Sequence, residues 1–295
     1  MSRLVLGTAQ FGLDYGVTNR RGKIGREEVA TILDAAYNSG ITTLDTATGY
    51  GDSEEILGVL NAHERFRIVT KIAPDTADDV RPQLDQCCES LRAAVLDTVL
   101  LHNFQQFEKS PEIWRAMNDA HRQGSVKRIG ISLYYPWEWD RISAYCDSHG
   151  LSYPDAVQFP LSVFDQRFVS FLPKIKAAGT EIFVRSVFLQ GLGFSSKETL
   201  PEFFRAATDS LRLLADIEKS TGMNRAAALL GFPLSRDEID HIVIGVDGIE
   251  TFYENVRAFS VAESYSASIN ATEWSRLAID DDSILIPMNW PKDKL

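Results

Sequence analysis

Eight short apolar runs, each followed by a stretch with helical spacing, constrain the fold of this chain more than any other feature. They lie at 3–7, 41–45, 67–71, 97–102, 127–131, 155–159, 181–185 and 241–245. Rich in Val, Ile and Leu, they have the length of strands rather than helices. Between them apolar side chains recur every three or four positions, as in Val80, Leu84, Cys87/Cys88, Leu91 and Val95, or Phe171, Leu172, Ile175 and Ala178, the period of an amphipathic helix. Strands covered on both faces by crossover helices pair in parallel. Eight such units most naturally close into a (β/α)8 barrel, the TIM barrel of the α/β class. A doubly wound sheet is the competitor, and it usually carries Gly-x-Gly-x-x-Gly after its first strand. Here that place reads Gly7-Thr8-Ala9-Gln10-Phe11-Gly12. A length of 295 residues suits one barrel domain over 1–295, with no Pro/Gly/Ser linker to divide it. The longest irregular stretch, roughly 186–207, follows the seventh run and reads as an active-site loop. The tail from Asp280 onward is the least patterned part.

Composition narrows the partners. Against 41 acidic residues stand 30 basic ones, a net charge of −11, which argues against nucleic acid or an anionic membrane as partner. An anionic cofactor needs only a local positive site and stays open. No run of ~18 apolar residues exists to span a bilayer. The amino terminus enters the first strand without the hydrophobic region of a signal peptide, so a cytoplasmic protein is expected, as a monomer or small homo-oligomer. Cys87, Cys88 and Cys146 have no metal-ligand spacing and read as reduced thiols. His63, His102, His121, His149 and His241 form no ligand cluster, and no metal is expected.

In a barrel, chemistry belongs at the C-terminal ends of the strands. The second run ends at Asp45, a Gly-punctuated loop then presents Tyr50, and a helix starts near Ser53. Taken alone this is equally a capped βα turn, with Asp52 or Ser53 as N-cap and Glu54 and Glu55 favouring the helix start. Lys71 closes the third run and His102 the fourth, so titratable groups from three consecutive strands converge. A free phenol has a pKa near ~10; a neighbouring Lys71 ammonium, itself held charged by Asp45, favours its ionised form. Tyr50 then becomes a usable acid for a carbonyl oxygen while a hydride reaches the carbonyl carbon, with His102 orienting the substrate. The plainer alternative is a structural Asp45–Lys71 ion pair sealing the core.

The segment Leu44-Asp45-Thr46-Ala47-Thr48-Gly49-Tyr50-Gly51-Asp52-Ser53-Glu54 resembles the signature of the aldo-keto reductase superfamily, and Val69-Thr70-Lys71 and Leu100-Leu101-His102 resemble its lysine and histidine segments. The resemblance spans nearly the whole chain. It implies a tetrad of Asp45, Tyr50, Lys71 and His102 with Tyr50 as acid/base, on a barrel that binds NADP(H), or less often NAD(H), without a Rossmann domain. Relatives usually hold the nicotinamide carboxamide with Ser-Asn; Ser132-Leu133 keeps half of that pair. Gln158 matches the glutamine that contacts the same group. Arg185 and Ser186 stand where many relatives have a stacking aromatic followed by Ser; a guanidinium can lie over a ring or bind an anionic substrate.

For the diphosphate and adenosine, the resemblance points to Ser186, Phe188, Gln190 and Gly191, then Gly245, Val246 and Asp247, with Glu254 and Asn255 as the adenine pair. Thr251 replaces the arginine that NADPH-preferring members carry, and Asp247 and Glu250 would repel a 2′-phosphate. Weak NADPH preference and acceptance of NAD(H) are therefore expected. Aromatics of the βα loops would wall the substrate pocket, Phe11 and Tyr15 foremost, with Phe104 and Tyr134. The expected activity is reduction of an aldehyde, ketone or sugar carbonyl. An isomerase or dehydratase moving protons α to a carbonyl, or a non-catalytic cofactor-binding subunit, fits the same residues.

Overall fold

The computed structural model describes residues 3–16, 19, 21–196, 200–265 and 269–291. Its strands are β1 (Leu4–Gly7), β2 (Thr43–Asp45), β3 (Arg67–Ile72), β4 (Leu96–Leu101), β5 (Val126–Ser132), β6 (Ala156–Pro160), β7 (Glu181–Arg185) and β8 (His241–Ile244). They run parallel and close in sequence order into a barrel. Leu6 pairs with Leu44 on one side and Ile244 on the other, which completes the ring. The outer layer comprises, among the described residues, α1 (Arg26–Asn38), α2 (Ser53–Val59), α3 (Val80–Leu91), α4 (Glu112–Arg122), α5 (Pro136–His149), α6 (Leu172–Ala177), α7 (Thr208–Thr221), α8 (Arg225–Leu234) and α9 (Ile249–Tyr265).

Alternation along each strand sorts the side chains into two cores. Leu6, Leu44, Val99, Ile131, Val157, Ile182 and Ile242 point outward and pack against the helices. Val5, Val69, Leu100, Ala156, Phe183 and Val243 point inward and form a separate apolar layer across the barrel. Polar residues lie at both ends of that layer.

Element boundaries depart from the sequence reading for local reasons. Strand β2 starts at Thr43 because the Ile41 N–H is committed to the Ala36 carbonyl at 3.0 Å, in the turn that leaves α1. Helix α3 buries Val80, Leu84, Cys87 and Leu91 but stops there, with Arg92 left-handed (φ 54°), so Val95 is exposed rather than part of the stripe. The three cysteines are free, and burial pushes Cys146 up to about 11. No helix among the described residues is long and apolar enough to cross a membrane.

The chain end, whose sequence shows no period, folds back on the βα side of the barrel. The Ile279 N–H donates to the Phe164 carbonyl (2.8 Å) in the loop after β6. Asp282 accepts from Tyr135 (2.9 Å) and Arg167 (3.0 Å), and Trp290 meets Phe204 edge-on at 4.8 Å.

Candidate active site

The loop that presents Tyr50 is fixed by its neighbours. Thr46 and Thr48 continue the β2 ladder against Val69 and Lys71 (2.8 and 3.0 Å), and the Tyr50 N–H turns back to the Ala47 carbonyl at 3.0 Å. The loop after β1 lies directly on it: a Cβ at Gly12 would sit 1.7 Å from the Tyr50 carbonyl oxygen, and one at Gly51 (φ 57°) 2.3 Å from that of Gly12. Only glycine permits this approach. Helix α2 begins at Ser53, but neither candidate cap acts as one. Asp52 ion-pairs with Lys23 (2.5 Å), and the buried Ser53 hydroxyl bonds Thr8 (2.8 Å). Glu54 is also buried: it accepts from the Thr70 hydroxyl at 2.5 Å, and burial pushes its carboxyl above the usual range. Glu54 stands with Glu55 in the first turn of α2, as expected, and also joins that helix to β3.

Beneath Tyr50 lies a closed polar cluster. Lys71, 1% exposed, donates to both carboxylate oxygens of Asp45 (2.8 and 2.7 Å) and to the Thr46 carbonyl (2.9 Å). All three ammonium hydrogens are thereby used. The Lys71 Nζ lies 5.1 Å from the Tyr50 ring centroid. Gln158, fully buried, donates to Asp45 at 2.7 Å, while its Oε1 is buried without a partner among the described residues. Ser132 is its register neighbour on β5 and is buried; Leu133 is wholly in the core. The His102 ring stands nearly perpendicular to Tyr50, centroids 6.0 Å apart. Burial, then the charges of Lys71 and Arg185, hold its imidazole down at about 4 against the pull of Asp45, so it is neutral at neutral pH.

Around this centre the other candidates separate. Arg185 is half-buried, with its guanidinium carbon 4.4 Å over the Tyr134 ring. Tyr15 is 44% exposed and accepts from Gln190 at 3.4 Å. Phe11 and Phe104, expected in the pocket wall, are instead 0% and 3% exposed. The short helical turns Ala9–Gly12 and Phe104–Lys109 rotate them into packing, Phe104 against Phe107 and Trp137.

The loop after β7 is left-handed at Ser186 (φ 61°), Leu189 (44°), Gln190 (48°) and Gly191 (94°). Non-glycine residues held there cost of order ~1–2 kcal/mol each, a strain that clusters at ligand sites. Phe188 is half-buried against the core and Phe194. After β8, Gly245 is exposed but Val246 is buried, and Asn255 is buried with its amide donating to the Gly245 carbonyl (3.3 Å). Of the expected adenine pair, only Glu254 is exposed. Thr251 donates to Asp247. Arg21, which the sequence did not single out, lies beside Gly248 and pairs with Glu28 (3.1 Å) and Glu250 (3.6 Å). Its signal was weak, since it comes from the β1 loop far from β8 in sequence. The structural role of Thr46 was equally hidden, because it acts through its backbone carbonyl.

Known proteins support the same lineage. The chain is 26% identical over 206 residues to the oxidoreductase sirO of Leptosphaeria maculans, covering 67% of this chain and 63% of that protein. It is 28% identical over 173 residues to norsolorinic acid reductase B of Aspergillus parasiticus, covering 51% of this chain and 45% of that one. This chain thus spans about half to two thirds of those relatives. Its fold matches the holo form of an aldo-keto reductase from Bacillus halodurans with TM-score 0.70 at 20% identity, over 94% of this chain and 91% of that one. The model of the aldo/keto reductase family matches residues 3–273, from β1 to beyond α9, and the chain belongs to that family.

Proposed function

We propose that the protein is a nicotinamide-dependent carbonyl reductase in which Tyr50 is the general acid. The observation that carries this reading is the placement of the phenol against a buried Asp45–Lys71 pair whose ammonium hydrogens are all engaged, with a neutral His102 beside it. A purely structural ion pair has no need of a phenol and an imidazole at its open end. The relatives named an oxidoreductase and a reductase are consistent with it.

The residues present fit a nicotinamide cofactor, which when bound supplies the hydride. The orphaned Oε1 of Gln158 suits the N–H of a primary carboxamide, with Ser132 next to it. The strained loop after β7 and the Gly245–Asp247 loop would hold the remainder. Within the chain, Tyr50 gives its phenolic proton to the carbonyl oxygen as that oxygen gains charge. The fixed Lys71 ammonium stabilises the phenolate left behind. Asp45 keeps that ammonium in place and charged, and Gln158 in turn fixes Asp45. His102, being neutral, orients the carbonyl oxygen through one ring N–H rather than delivering a proton.

The test is oxidation of NADPH and NADH by a panel of aldehydes, ketones and open-chain sugars, with wild type and Tyr50→Phe in parallel. Turnover falling by ~100-fold or more in Tyr50→Phe, with cofactor affinity by tryptophan quenching unchanged within about twofold, supports the role. Retention of more than about a tenth of the activity removes Tyr50 as the acid.

A further inference from the structure

Arg185 closes β7 in phase with the inward-facing Phe183, so its side chain enters the barrel mouth. Among the described residues it has no carboxylate partner: the guanidinium lies over Tyr134 (4.4 Å), and its hydrogen bond is a long one to the Ser186 hydroxyl (3.4 Å). Several comparably sheltered arginines hold carboxylates, whereas Arg3, on backbone carbonyls, and Arg236, over the Phe232 ring, do not. Arg67 holds Asp97 and Glu181, Arg167 holds Asp165 and Asp282, and Arg225 holds Glu218.

The charges around Tyr50 leave a residue. Asp45 is neutralised by Lys71 and His102 is uncharged, so beside Tyr50, among the described residues, Arg185 is left as an unbalanced positive charge in a chain of net −11. Its charge acts on His102, whose ring stands beside Tyr50, so the guanidinium lies at the Tyr50 end of the barrel. Tyr134 holds the guanidinium by cation–π contact, which uses none of its N–H groups; one donates to Ser186, and the group has no carboxylate acceptor among the described residues. The guanidinium edge is a fork matched to a planar anion. One guanidinium, with Lys71 already spent, balances a monoanion better than a phosphate ester carrying nearly two charges.

We propose that Arg185 is the specificity residue of this site and that the carbonyl substrates it serves carry a carboxylate, bound by the guanidinium edge with the substrate body beside Tyr134 and Tyr15. This rests on the reading of the site as a carbonyl reductase and names its substrate class.

The experiment compares meta- and para-carboxybenzaldehyde with their neutral carbamoyl counterparts at neutral pH, using wild type, Arg185→Gln and Arg185→Lys. For at least one isomer, wild type should favour the carboxylate in kcat/KM by ~10–100-fold, the range expected for a charge-assisted pair. Arg185→Gln should erase that preference by losing ~10-fold or more on the acid beyond any loss on the carbamoyl substrate, and Arg185→Lys should recover part of it. Added salt should shrink the wild-type preference. No preference in wild type, or an equal loss on both substrates in Arg185→Gln, overturns the proposal; the latter assigns Arg185 to the cofactor or the chemistry. The product-like carboxybenzyl and carbamoylbenzyl alcohols, titrated calorimetrically with NADP+ present, read the same preference without turnover. Lack of turnover, or activity surviving in Tyr50→Phe, overturns the reductase reading. Arg185-dependent binding of the acid alcohol would then still sustain the carboxylate site, and its absence would remove both.

Discussion

At the scale of single residues, the question is whether Asp45 and Lys71 are there for chemistry or only to seal the barrel. Lys71 has no hydrogen left for the Tyr50 oxygen, so its effect on the phenol is that of a fixed charge. Removing it in Lys71→Met leaves the Asp45 carboxylate buried with Gln158 as its remaining side-chain donor, which should lower stability by about 3–5 kcal/mol. Adding Asp45→Asn removes the stranded charge, so the double variant should regain most of that loss in urea denaturation. If the pair also serves catalysis, the double variant stays inactive although it is stable; recovered activity would reduce the pair to a structural seal. His102 makes a separate prediction. With its imidazole held near 4 by burial, Lys71 and Arg185, it is neutral across roughly pH 5–8. The pH profile of kcat/KM should therefore show no limb near the ordinary histidine value of 6.5. A limb there that disappears in His102→Asn would mean that its proton takes part in the reaction.

At the scale of elements, the barrel was legible because eight short apolar runs separated by helical periods give the strands, and the polar residues that close some of them mark the inward face. Lys71 and His102 follow in phase from Val69 and Leu100. What could not be read has equally specific causes. Phe11 and Phe104 sit on helical turns of four and six residues, too short to show a period, and so passed for loop aromatics. The chain end is held by partners far away in sequence, Phe164, Arg167 and Phe204, and has no pattern of its own. Trp290→Ala removes its contact with Phe204 and its bond to the Ile284 carbonyl, and should cost about 3–5 kcal/mol in thermal or urea unfolding. If the turn from β8 into α9 holds the adenosine, as proposed above, its charges decide cofactor choice. Arg21 pairs there with both Glu28 and Glu250, and Asp247 lies on the same turn bonded to Thr251, so a 2′-phosphate would meet net negative charge. Fluorescence titration should give NADPH an advantage over NADH below a hundredfold, or ~2.7 kcal/mol. Thr251→Arg should raise NADPH affinity selectively, by about tenfold, if that turn holds the phosphate. A larger wild-type preference would mean that the adenosine lies away from these acids.

Over the whole molecule, the inward apolar layer separates two polar ends with different duties. At the end opposite Tyr50, Arg67 grips Glu181 through two bonds (2.7 and 2.6 Å) and Asp97 through a third (2.9 Å), while His241 meets Glu181 at 2.6 Å and stacks on Phe183. The N-terminal end of a barrel is where stability rather than catalysis is expected to reside. Both ends respond to acid, in successive windows. Burial alone would raise the Glu181 carboxyl, but His241 and Arg67 hold it at about 2, below the ordinary 4.5. Its contribution is complete above about 4.5 and is lost as pH falls toward 2, because the unfolded chain takes up the proton first. His102 acts earlier: between 6.5 and about 4 the unfolded chain binds a proton that the buried imidazole refuses, so stability again falls with pH. Urea midpoints measured from neutral to acid pH should therefore decline in two stages. His102→Asn should flatten the upper stage and leave the lower one. Glu181→Gln should start lower at neutral pH, having lost the charge on which Arg67 closes, and should flatten the lower stage only. A decline unchanged by either variant would place the acid sensitivity in other groups and remove the assignment of these two residues to it. Independent flattening would show that the mouth at Tyr50 and the opposite end are held by separate electrostatic arrangements, with the apolar layer between them insulating one from the other.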